Sequence, residues 1–533
     1  MTVRVWSCAV LGVEGHLVEV EVDLARGLPS FDLVGLPDPA VRESRERVRA
    51  ALRNLGLEFP LRRVTVNLAP AALRKEGTVF DLPVAVGIMA AMGELPPERL
   101  AGVVLAGELS LAGTVRGVPG VLAMALAVRA HLAEGVFIVP EANLPEARIV
   151  EGLAVLGVSD LAGVVRLFRA PGGLRQRAAA VRPQRQSVER PEEGGAEKPG
   201  QPGAEGEAEP DLAEVKGMRV AKRALEIAAA GRHNLLLVGP PGSGKTMLAR
   251  RLPSLLPPLS QLEAVEVTKI YSIAGCLPAF SGLLRRPPFR APHHTTTVAG
   301  LVGGGSRLRP GEASLAHRGV LFLDELAEFS RPALEALRQP LEEGVVSLAR
   351  AQHTYRFPAR FFLVGTCNPC PCGFYGSQVH RCSCSEREVR RYRKKLSGPL
   401  LDRIDLRVAV WPPTSQELTG PAAEEGSAAV RERIRRARAL QEKRYGAPGR
   451  FNAEMGPAEL RAFVPLDPAA QELLERAVLQ LRLSGRRFDR VLRVARTIAD
   501  LEGSARVEAG HVAEAIQYQR DPWLEGEDHA FLP

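Results

Sequence analysis

A glycine-rich segment near the middle of the chain has the spacing of a phosphate-binding loop. Residues 239–246 read Gly-Pro-Pro-Gly-Ser-Gly-Lys-Thr and follow an apolar run that begins at Asn234. Small residues let successive main-chain N–H groups turn towards phosphate oxygens, and the helix that follows adds partial positive charge at its N-terminus. An ordinary glycine-rich turn is the alternative, which the full spacing and the preceding strand disfavour. The predicted nucleotide-binding residues are Gly239, Pro240, Pro241, Gly242, Ser243, Gly244, Lys245, Thr246 and Met247.

Within this segment, two side chains have distinct predicted roles. Lys245 is placed to reach the β- and γ-phosphates of ATP, and Thr246 to bind Mg²⁺. A second apolar run ends in Asp324 and Glu325, and a third ends at Asn368. The carboxyl ends of parallel strands lie at the same edge of a sheet, where ligands bind. We therefore expect these side chains to lie close together at that edge.

The two acids and the amide have different predicted roles in ATP hydrolysis. Asp324 should hold Mg²⁺ together with Thr246, and Glu325 should activate the attacking water as a general base. Asn368 should orient that water and sense the γ-phosphate. The alternatives are acids that end a strand in solvent and an asparagine that caps a turn.

Five of the seven cysteines lie between Cys367 and Cys384. Four of them form two C-x-C pairs, which are separated by nine residues. Two short knuckles of this kind can surround one Zn²⁺ with four thiolates, so the pattern predicts a structural zinc site. C-x-C is less diagnostic than C-x-x-C, and four reduced cysteines in a loop are the alternative. The predicted zinc ligands are Cys370, Cys372, Cys382 and Cys384.

The length and composition indicate a multidomain globular protein. With 533 residues, two to four domains are expected. No apolar run is long enough to cross a bilayer and the N-terminus lacks a signal-peptide layout, so a cytoplasmic protein without a membrane partner is expected. The formal charge of +9, from 70 basic and 61 acidic residues, gives slight support to a nucleic-acid partner.

The pattern along the chain predicts two α/β modules joined by a flexible linker at 169–210. That segment is rich in Pro, Gly, Ala, Glu, Gln and Arg and has no apolar periodicity. The second module combines a parallel sheet with a helical lid. In the first module, strands are predicted at 18–22, 64–68, 103–105 and 136–139, and a helix at 40–55. In the second, strands are predicted at 234–239, 319–324, 361–365 and 404–410, and helices at 247–252, 430–444, 468–483 and 487–502.

Several longer motifs resemble a known family. They include Arg290-Ala-Pro-His-His, Gly303-Gly-Gly, Arg309-Pro-Gly-Glu, Ala316-His-Arg-Gly-Val-Leu-Phe-Leu-Asp-Glu-Leu, Asn368-Pro-Cys-Pro-Cys-Gly, Ser397-Gly-Pro-Leu-Leu-Asp-Arg-Ile-Asp, Ala495-Arg-Thr-Ile-Ala-Asp-Leu-Glu-Gly and Ala513-Glu-Ala-Ile-Gln-Tyr. These motifs are similar to those of the magnesium-chelatase-like AAA+ ATPases and, within them, of the ComM/YifB group. The resemblance covers nearly the whole chain apart from the linker.

The resemblance implies a ring, most simply a hexamer, in which ATP binds between subunits. Arg403 matches the family's arginine finger, which would reach the γ-phosphate of the neighbouring subunit. A local ion pair of Arg403 with Asp402 or Asp405 is the alternative. A lid arginine should also sense the γ-phosphate from within the subunit, and both Arg490 and Arg493 fit that position.

The resemblance further implies an insert at about 285–312 that forms a hairpin facing the central pore. Four residues there are candidate DNA contacts: His293, His294, Arg307 and Arg309. A packed or capping role for the two histidines is an equal alternative. Metal binding by them is disfavoured, because adjacent residues on a strand point in opposite directions.

Residues 1–168 resemble the Lon protease domain, chiefly through residues 106–120 and Glu76-Gly-Thr-Val. Val79 occupies the position of that family's catalytic serine, and Met124 occupies the position of its lysine. Since neither side chain is a nucleophile or a base, proteolysis at this site is rejected. The predicted domains are 1–168 (Lon-like), 169–210 (linker), 211–412 (AAA+ core, with a zinc finger at 367–386), 425–520 (helical lid) and 521–533 (tail).

Three functions remain open at this point. The first is an ATP-driven DNA motor of the ComM/YifB type that acts in branch migration during recombination and natural transformation. The second is the ATPase subunit of a metal insertase of the magnesium-chelatase type. The third is a chaperone-like or protease-like remodeller. The resemblance favours the first, and the missing catalytic pair disfavours the third.

Overall fold

The computed structural model describes residues 2–180, 210–278, 282–305, 308–350, 353–377, 380–419, 424–520 and 522–523. The chain divides into two compact units. The first unit comprises residues 1–199 and 268–284, and the second comprises residues 200–267 and 285–533. The predicted boundaries place residues 268–284 in the ATPase core, whereas their contacts group them with the first unit.

The first unit is built on a mixed sheet. In its described residues the sheet has seven strands in the order β3-β4-β2-β1-β5-β8-β9. The β1–β2 and β2–β4 pairs are antiparallel, and the remaining neighbours are parallel. Along β2, Val18, Val20 and Val22 are buried and alternate with more exposed acids, which is the pattern of a strand with one face on the core. The strands are β1 (Thr2–Leu11), β2 (Glu14–Ala25), β3 (Ser30–Val34), β4 (Arg63–Ala69), β5 (Val103–Leu105), β6 (Glu108–Leu109), β7 (Val115–Arg116), β8 (Val136–Pro140) and β9 (Ala154–Val158).

Helices cover this sheet. The segment Asp81–Ala91 is almost entirely buried, consistent with its apolar composition on all sides. The helix predicted at 40–55 is interrupted at Glu43, which ends one helix and begins the next. The helices are α1 (Pro39–Arg42), α2 (Ser44–Asn54), α3 (Asp81–Ala91), α4 (Val121–His131), α5 (Leu144–Ala147), α6 (Leu161–Arg169) and α7 (Leu174–Ala180).

Helix α7 shortens the predicted linker at its start. The sequence predicted flexible chain from residue 169, but residues 174–180 are helical. Leu174 and Ala178 lie four residues apart, on one helix face, and pack against the core of the first unit. Two apolar residues were too few to reveal this helix by periodicity, and residues 181–209 of the predicted linker lie outside the described residues.

The second unit contains the predicted parallel sheet. Its described residues form five strands in the order β11-β14-β17-β10-β18, and every neighbouring pair is parallel. The four strands β10, β14, β17 and β18 are nearly continuous apolar runs, as expected for strands covered on both faces. The strands are β10 (Leu235–Val238), β11 (Phe289–Arg290), β12 (Gly303–Gly304), β13 (Arg309–Pro310), β14 (Val320–Leu323), β15 (Val345–Arg350), β16 (His353–Pro358), β17 (Phe362–Cys367) and β18 (Leu406–Ala409).

Helices complete this unit, although residues 268–274, the C-terminal half of one of them, are grouped with the first unit. The last five helices form the region predicted as a lid. No described helix combines the length with the apolar character that a bilayer crossing requires. The helices are α8 (Arg219–Gly231), α9 (Lys245–Ala249), α10 (Leu252–Leu255), α11 (Gln261–Ala274), α12 (Val298–Val302), α13 (Glu312–Leu315), α14 (Arg331–Ala336), α15 (Arg338–Glu343), α16 (Glu386–Arg393), α17 (Gly398–Leu401), α18 (Ser415–Thr419), α19 (Ser427–Tyr445), α20 (Pro457–Phe463), α21 (Pro468–Gln480), α22 (Gly485–Glu502) and α23 (Ala509–Gln517). The mixed α/β fold with a parallel sheet is as predicted.

Two hairpins project from the second unit outside the main sheet. Strands β12 and β13 pair antiparallel, in the region where the sequence predicted an inserted hairpin. Strands β15 and β16 form a second antiparallel pair, which the sequence analysis did not predict. The hairpins lie side by side, since a Cβ added to Gly303 would lie 3.4 Å from a methyl group of Leu348.

Candidate active site

The carboxyl ends of three neighbouring strands carry the predicted catalytic side chains. In the sheet, β17 lies between β14 and β10, so the segments that follow these strands meet at one edge. The phosphate-binding loop follows β10, Asp324 follows β14, and Asn368 follows β17. The sheet therefore brings together residues that are more than a hundred positions apart in sequence.

Lys245 is the most enclosed charged group of this edge. Its Nζ donates to the main-chain oxygens of Gly239 and Pro240, both at 2.7 Å, and lies 3.3 Å from Oδ1 of Asn368. Burial lowers the pKa of Lys245 to about 8. A nearby triphosphate would favour the charged ammonium and so raise this pKa.

Gly239 fixes the start of the phosphate-binding loop. Its N–H donates to the carbonyl oxygen of Cys367, at 3.1 Å. A Cβ at this position would lie only 2.0 Å from the carbonyl oxygen of Val410. Only glycine fits between the ends of β17 and β18, so the first residue of the motif is required by packing as well as by phosphate access.

Thr246 and Asp324 meet at the predicted magnesium position. The Thr246 hydroxyl lies 3.1 Å and 3.0 Å from the two carboxylate oxygens of Asp324. A hydroxyl next to a carboxylate is a suitable partial ligand set for Mg²⁺ beside phosphate oxygens. The hydroxyl of Thr366 also donates to Asp324. Thr366 was not among the predicted site residues, although a polar residue near the end of an apolar strand could have indicated it.

Glu325 adopts a main-chain conformation that non-glycine residues rarely show, with a φ of 53°. Its N–H donates to the Thr366 hydroxyl at 3.0 Å, which helps to hold the residue in place. Conformations of this kind concentrate at functional sites, where surrounding contacts must offset their cost. Nδ1 of His294 lies 3.8 Å from a carboxylate oxygen of Glu325. His294, predicted as a DNA contact, is thus a neighbour of the predicted general base.

The predicted arginine finger makes contacts within its own unit. Arg403 forms an ion pair with Glu342 and donates to the carbonyl oxygen of Pro399. Its side chain is 11% exposed. Asp402 and Asp405 were the predicted local partners, but the acidic partner of Arg403 is Glu342, 61 residues earlier.

The two candidate sensor arginines differ in their surroundings. Arg490 is buried, and it donates to the carbonyl oxygen of Asp402 and lies 3.6 Å from a carboxylate oxygen of Asp405. Arg493 is half-buried and donates to the carbonyl oxygen of Met455 at 2.9 Å. The two side chains are therefore distinguished by burial, although they lie one turn apart on α22.

The predicted DNA contacts do not all lie on strands. His293 and His294 lie at a turn after β11, and their ring centroids are 4.0 Å apart. The assumption that adjacent histidines point apart was wrong here, because it holds for extended strands and not for turns. Arg309 is exposed on β13, whereas Arg307 lies outside the described residues.

The four cysteines of the predicted zinc site converge. Their sulfur atoms all lie within 4.8 Å of one another. The separations are 3.3 Å between Cys370 and Cys372, 3.7 Å between Cys370 and Cys382, and 3.5 Å between Cys372 and Cys382. A tetrahedron with Zn–S bonds of about 2.3 Å has edges of about 3.8 Å, so the spacing suits one zinc ion.

Main-chain amides support negative charge on these sulfurs. The N–H of Tyr375 points to the sulfur of Cys370 at 3.3 Å, and the N–H of Cys372 points to the sulfur of Cys384 at 3.4 Å. Burial raises the pKa of Cys370, Cys382 and Cys384, whereas for Cys372 hydrogen bonds from main-chain groups and neighbouring thiols outweigh burial and lower the pKa to about 5. Thiolates are the form that binds metal ions.

The first unit lacks a Ser–Lys pair at the positions that the Lon resemblance identifies. Val79 is 6% exposed and Met124 is 2% exposed, and both side chains belong to the apolar core. Neither can attack a carbonyl or accept a proton. The rejection of proteolysis at this site stays a prediction that rests on the types of these two side chains.

Comparison with known proteins gives matches over both units. The family model described as magnesium chelatase, subunit ChlI, matches residues 211–418. The models described as subunit ChlI of Mg-chelatase and as the ChlI C-terminal region match residues 20–143 and 424–519. The phosphate-binding loop, the two acids and the four cysteines lie within 211–418, and the candidate sensor arginines Arg490 and Arg493 lie within 424–519.

Similar full-length proteins occur in several bacteria. An uncharacterized protein of Mycobacterium tuberculosis is 46% identical over 522 residues, which cover 97% of this chain and 98% of that protein. Competence protein ComM of Haemophilus influenzae is 42% identical over 517 residues, with 97% of each chain covered. The uncharacterized protein YifB of Escherichia coli is 41% identical over 512 residues, with 96% of each chain covered.

Two substitutions should separate nucleotide binding from turnover. Lys245→Ala removes the buried ammonium, so we expect loss of ATP binding in equilibrium titrations with a fluorescent ATP analogue. Glu325→Gln removes the predicted general base but keeps the size of the side chain, so ATP binding should persist while phosphate release falls by at least about 100-fold. Unchanged turnover in Glu325→Gln would contradict the assignment of the general base.

The lowered pKa of Lys245 gives a second expectation. The free protein loses the ammonium charge as pH rises through about 8. ATP binding favours the charged form, so binding should take up protons near this pH and weaken as the pH rises further. Calorimetric titration in two buffers of different ionisation enthalpy should give greater proton uptake at about pH 8.5 than at about pH 6.5. Equal uptake at both pH values would rule out Lys245 as the linked group.

Proposed function

Because this chain belongs to the ComM/YifB group of the magnesium-chelatase-like AAA+ ATPases, we propose that it is a ring-forming motor that hydrolyses ATP to move along DNA. The observation that carries the ATPase part is the meeting of Lys245, Thr246, Asp324 and Asn368 at one sheet edge. The DNA part rests on the relatives and on exposed basic residues of the hairpins.

In the proposed hydrolysis, the main-chain amides of the phosphate-binding loop and Lys245 hold the phosphates. Thr246 and Asp324 would hold Mg²⁺, which would supply neutralisation of the phosphate charge. Glu325 accepts a proton from the water that attacks the γ-phosphorus, and ADP leaves from the opposite side. Asn368, beside Lys245, orients this water and responds to the γ-phosphate.

We assign the remaining charge stabilisation to two arginines. Arg403 would serve the site of a neighbouring subunit, for which it must exchange its ion pair with the exposed Glu342 for phosphate oxygens. Within the subunit, half-buried Arg493 is better suited to sensing the γ-phosphate than Arg490. The contacts of Arg490 with Asp402 and Asp405 support a structural role in joining α22 to the sheet.

The two adjacent hairpins are the proposed DNA-facing surface. Arg309 on β13 and Arg356 on β16 are both exposed. Tyr355 and Phe357 alternate with Arg356 and are buried, so the basic side chain is held outward by the packing of its neighbours. A ring that presents such cations repeatedly would attract a phosphate backbone without reading its sequence.

The name of the Haemophilus relative, competence protein ComM, suggests the biological setting. We propose that the motor acts on branched or single-stranded DNA during recombination that follows DNA uptake, with branch migration as its output. The family models carry the name of magnesium chelatase, so an ATPase subunit of a metal insertase is the second candidate. A chelatase motor needs no DNA for full activity, and this difference separates the two.

The four clustered cysteines are proposed to hold one structural Zn²⁺. Their sulfur separations and their main-chain N–H donors fit a tetrahedral thiolate site. Four ligands from the protein leave no open position, so the ion would support structure and would not activate water. The catalytic metal would be the separate Mg²⁺ at Thr246 and Asp324.

DNA should stimulate ATP hydrolysis if the motor proposal is right. We expect single-stranded or forked DNA to raise the ATPase rate, with an affinity that falls steeply as salt increases. Arg309→Ala and Arg356→Ala should each weaken DNA binding and reduce the slope of log affinity against log salt by about one. The measurements are fluorescence anisotropy with labelled DNA and phosphate release.

Arg461→Ala, at an exposed arginine of the predicted lid, is the matched control for lost positive charge. It should leave the salt slope unchanged. If no form of DNA alters the rate, the DNA motor is refuted and the insertase candidate takes its place.

Metal analysis tests the zinc proposal. Protein purified without chelators should contain about one zinc per chain, since four thiolates complete one tetrahedral site. Cys372→Ser should lose this metal, whereas Cys276→Ser, at an exposed cysteine outside the cluster, should retain it. Plasma emission spectroscopy gives the metal content, and metal-free wild-type protein would disprove the site.

A further inference from the structure

The cysteine loop, defined as the described residues 370–377 and 380–384, begins immediately beside the catalytic edge. Cys370 is fully buried and follows Asn368 by two residues. Oδ1 of Asn368 lies 3.3 Å from Nζ of Lys245. Only one proline separates Cys370 from Asn368. Holding Cys370 in place therefore also restricts the position of Asn368, whose side chain contacts Lys245.

The same loop packs on the phosphate-binding loop from the side. A Cβ added to Gly373 would lie 2.5 Å from Cδ and 2.7 Å from Cγ of Pro241. Gly373 also has a φ of 87°, a left-handed conformation that side chains disfavour. The main chain at Gly373 is thus in direct contact with Pro241, with no room for another group between them.

A third contact lies on the far side of the cysteine loop. A Cβ added to Gly376 would lie 3.4 Å from the ring of Trp411. Trp411 follows Val410, whose carbonyl oxygen faces Gly239 at the start of the phosphate-binding loop. The cysteine loop, which is part of the chain after β17, therefore lies against the phosphate-binding loop and beside the chain after β18.

The cysteine loop has little of its own to keep it in this position. Among its described residues, only Cys370 and Gly373 are buried, and the others are half-buried or exposed. A segment with so small a core needs a cross-link to remain ordered. The four converging sulfurs are the groups that a metal ion can cross-link, and metal binding then supplies the folding free energy.

We infer that the metal-bound cysteine loop is a positioning element of the ATP site, so that metal loading at the four cysteines sets both ATP affinity and turnover. The loop packs against Pro241 of the phosphate-binding loop and holds Asn368 beside Lys245. Release of the metal frees both contacts at once. This inference rests on the proposed ATPase function and assigns to the metal a role beyond stability.

The first experiment removes and restores the metal in the full-length protein. A mercurial thiol reagent with a chelator displaces zinc, and excess dithiol with added zinc restores it. We expect the dissociation constant of a fluorescent ATP analogue to rise by about tenfold or more without metal, and kcat to fall as well. Both values should return when zinc is restored, which distinguishes a positioning role from irreversible unfolding.

A second variant tests the contact without touching a metal ligand. Gly373→Ala should keep about one zinc per chain yet weaken ATP binding by about fivefold or more, because its methyl group displaces Pro241. Ser383→Ala, an exposed residue between two of the cysteines, is the matched control and should behave as wild type. Circular dichroism and zinc content confirm that each variant is folded and loaded.

The outcomes separate the two proposals. Unchanged ATP affinity and turnover after metal removal, or in zinc-loaded Gly373→Ala, would overturn the positioning role while leaving the ATPase intact. Protein that binds no metal would overturn it too. If zinc-loaded wild-type protein released no phosphate under any condition, the failure would belong to the proposed function.

Discussion

The buried ammonium of Lys245 is the group on which the arrangement of the second unit depends. Two main-chain carbonyl oxygens and the Asn368 amide oxygen surround it, and no carboxylate of the described residues is within hydrogen-bonding distance of it. Burial disfavours its charge, so the site is poised to gain from an incoming anion. This requires the ends of β10 and β17 to remain in register, and the parallel pairing of these strands supplies that alignment.

Part of this site could be predicted from the sequence because it depends on short local motifs. The spacing of residues 239–246 marks a loop that follows a strand, and the two acids follow another apolar run. Parallel sheets bring the carboxyl ends of such strands together. Thr366 was missed, and His294 was predicted only as a DNA contact, because their positions beside the two acids depend on other segments of the chain. Thr366 acts on Asp324 across a strand pair, and His294 reaches Glu325 through a turn whose path no periodicity reveals.

Long-range partners explain the other differences. The predicted local partners of Arg403 were acids near it in the sequence, but its ion pair in the structure is with Glu342, on another element. The cysteine spacing indicated a metal site, yet spacing alone could not show that Gly373 lies against Pro241. The fold class came from long apolar runs, whereas the short helix α7 and the β15–β16 hairpin gave weaker patterns. Sequence patterns thus indicated candidate functional residues better than they indicated which residues lie next to them in the fold.

The assignment of residues 268–284 to the first unit has a consequence for biosynthesis. Glu146 is a buried carboxyl group that accepts hydrogen bonds from the N–H of Leu122 and the hydroxyl of Ser272. During translation, Glu146 leaves the ribosome more than a hundred residues before Ser272. Domains commonly fold in N-terminal order as they emerge. Here the first unit cannot complete its fold until residues 268–284 have been synthesised, which is after the phosphate-binding loop of the second unit.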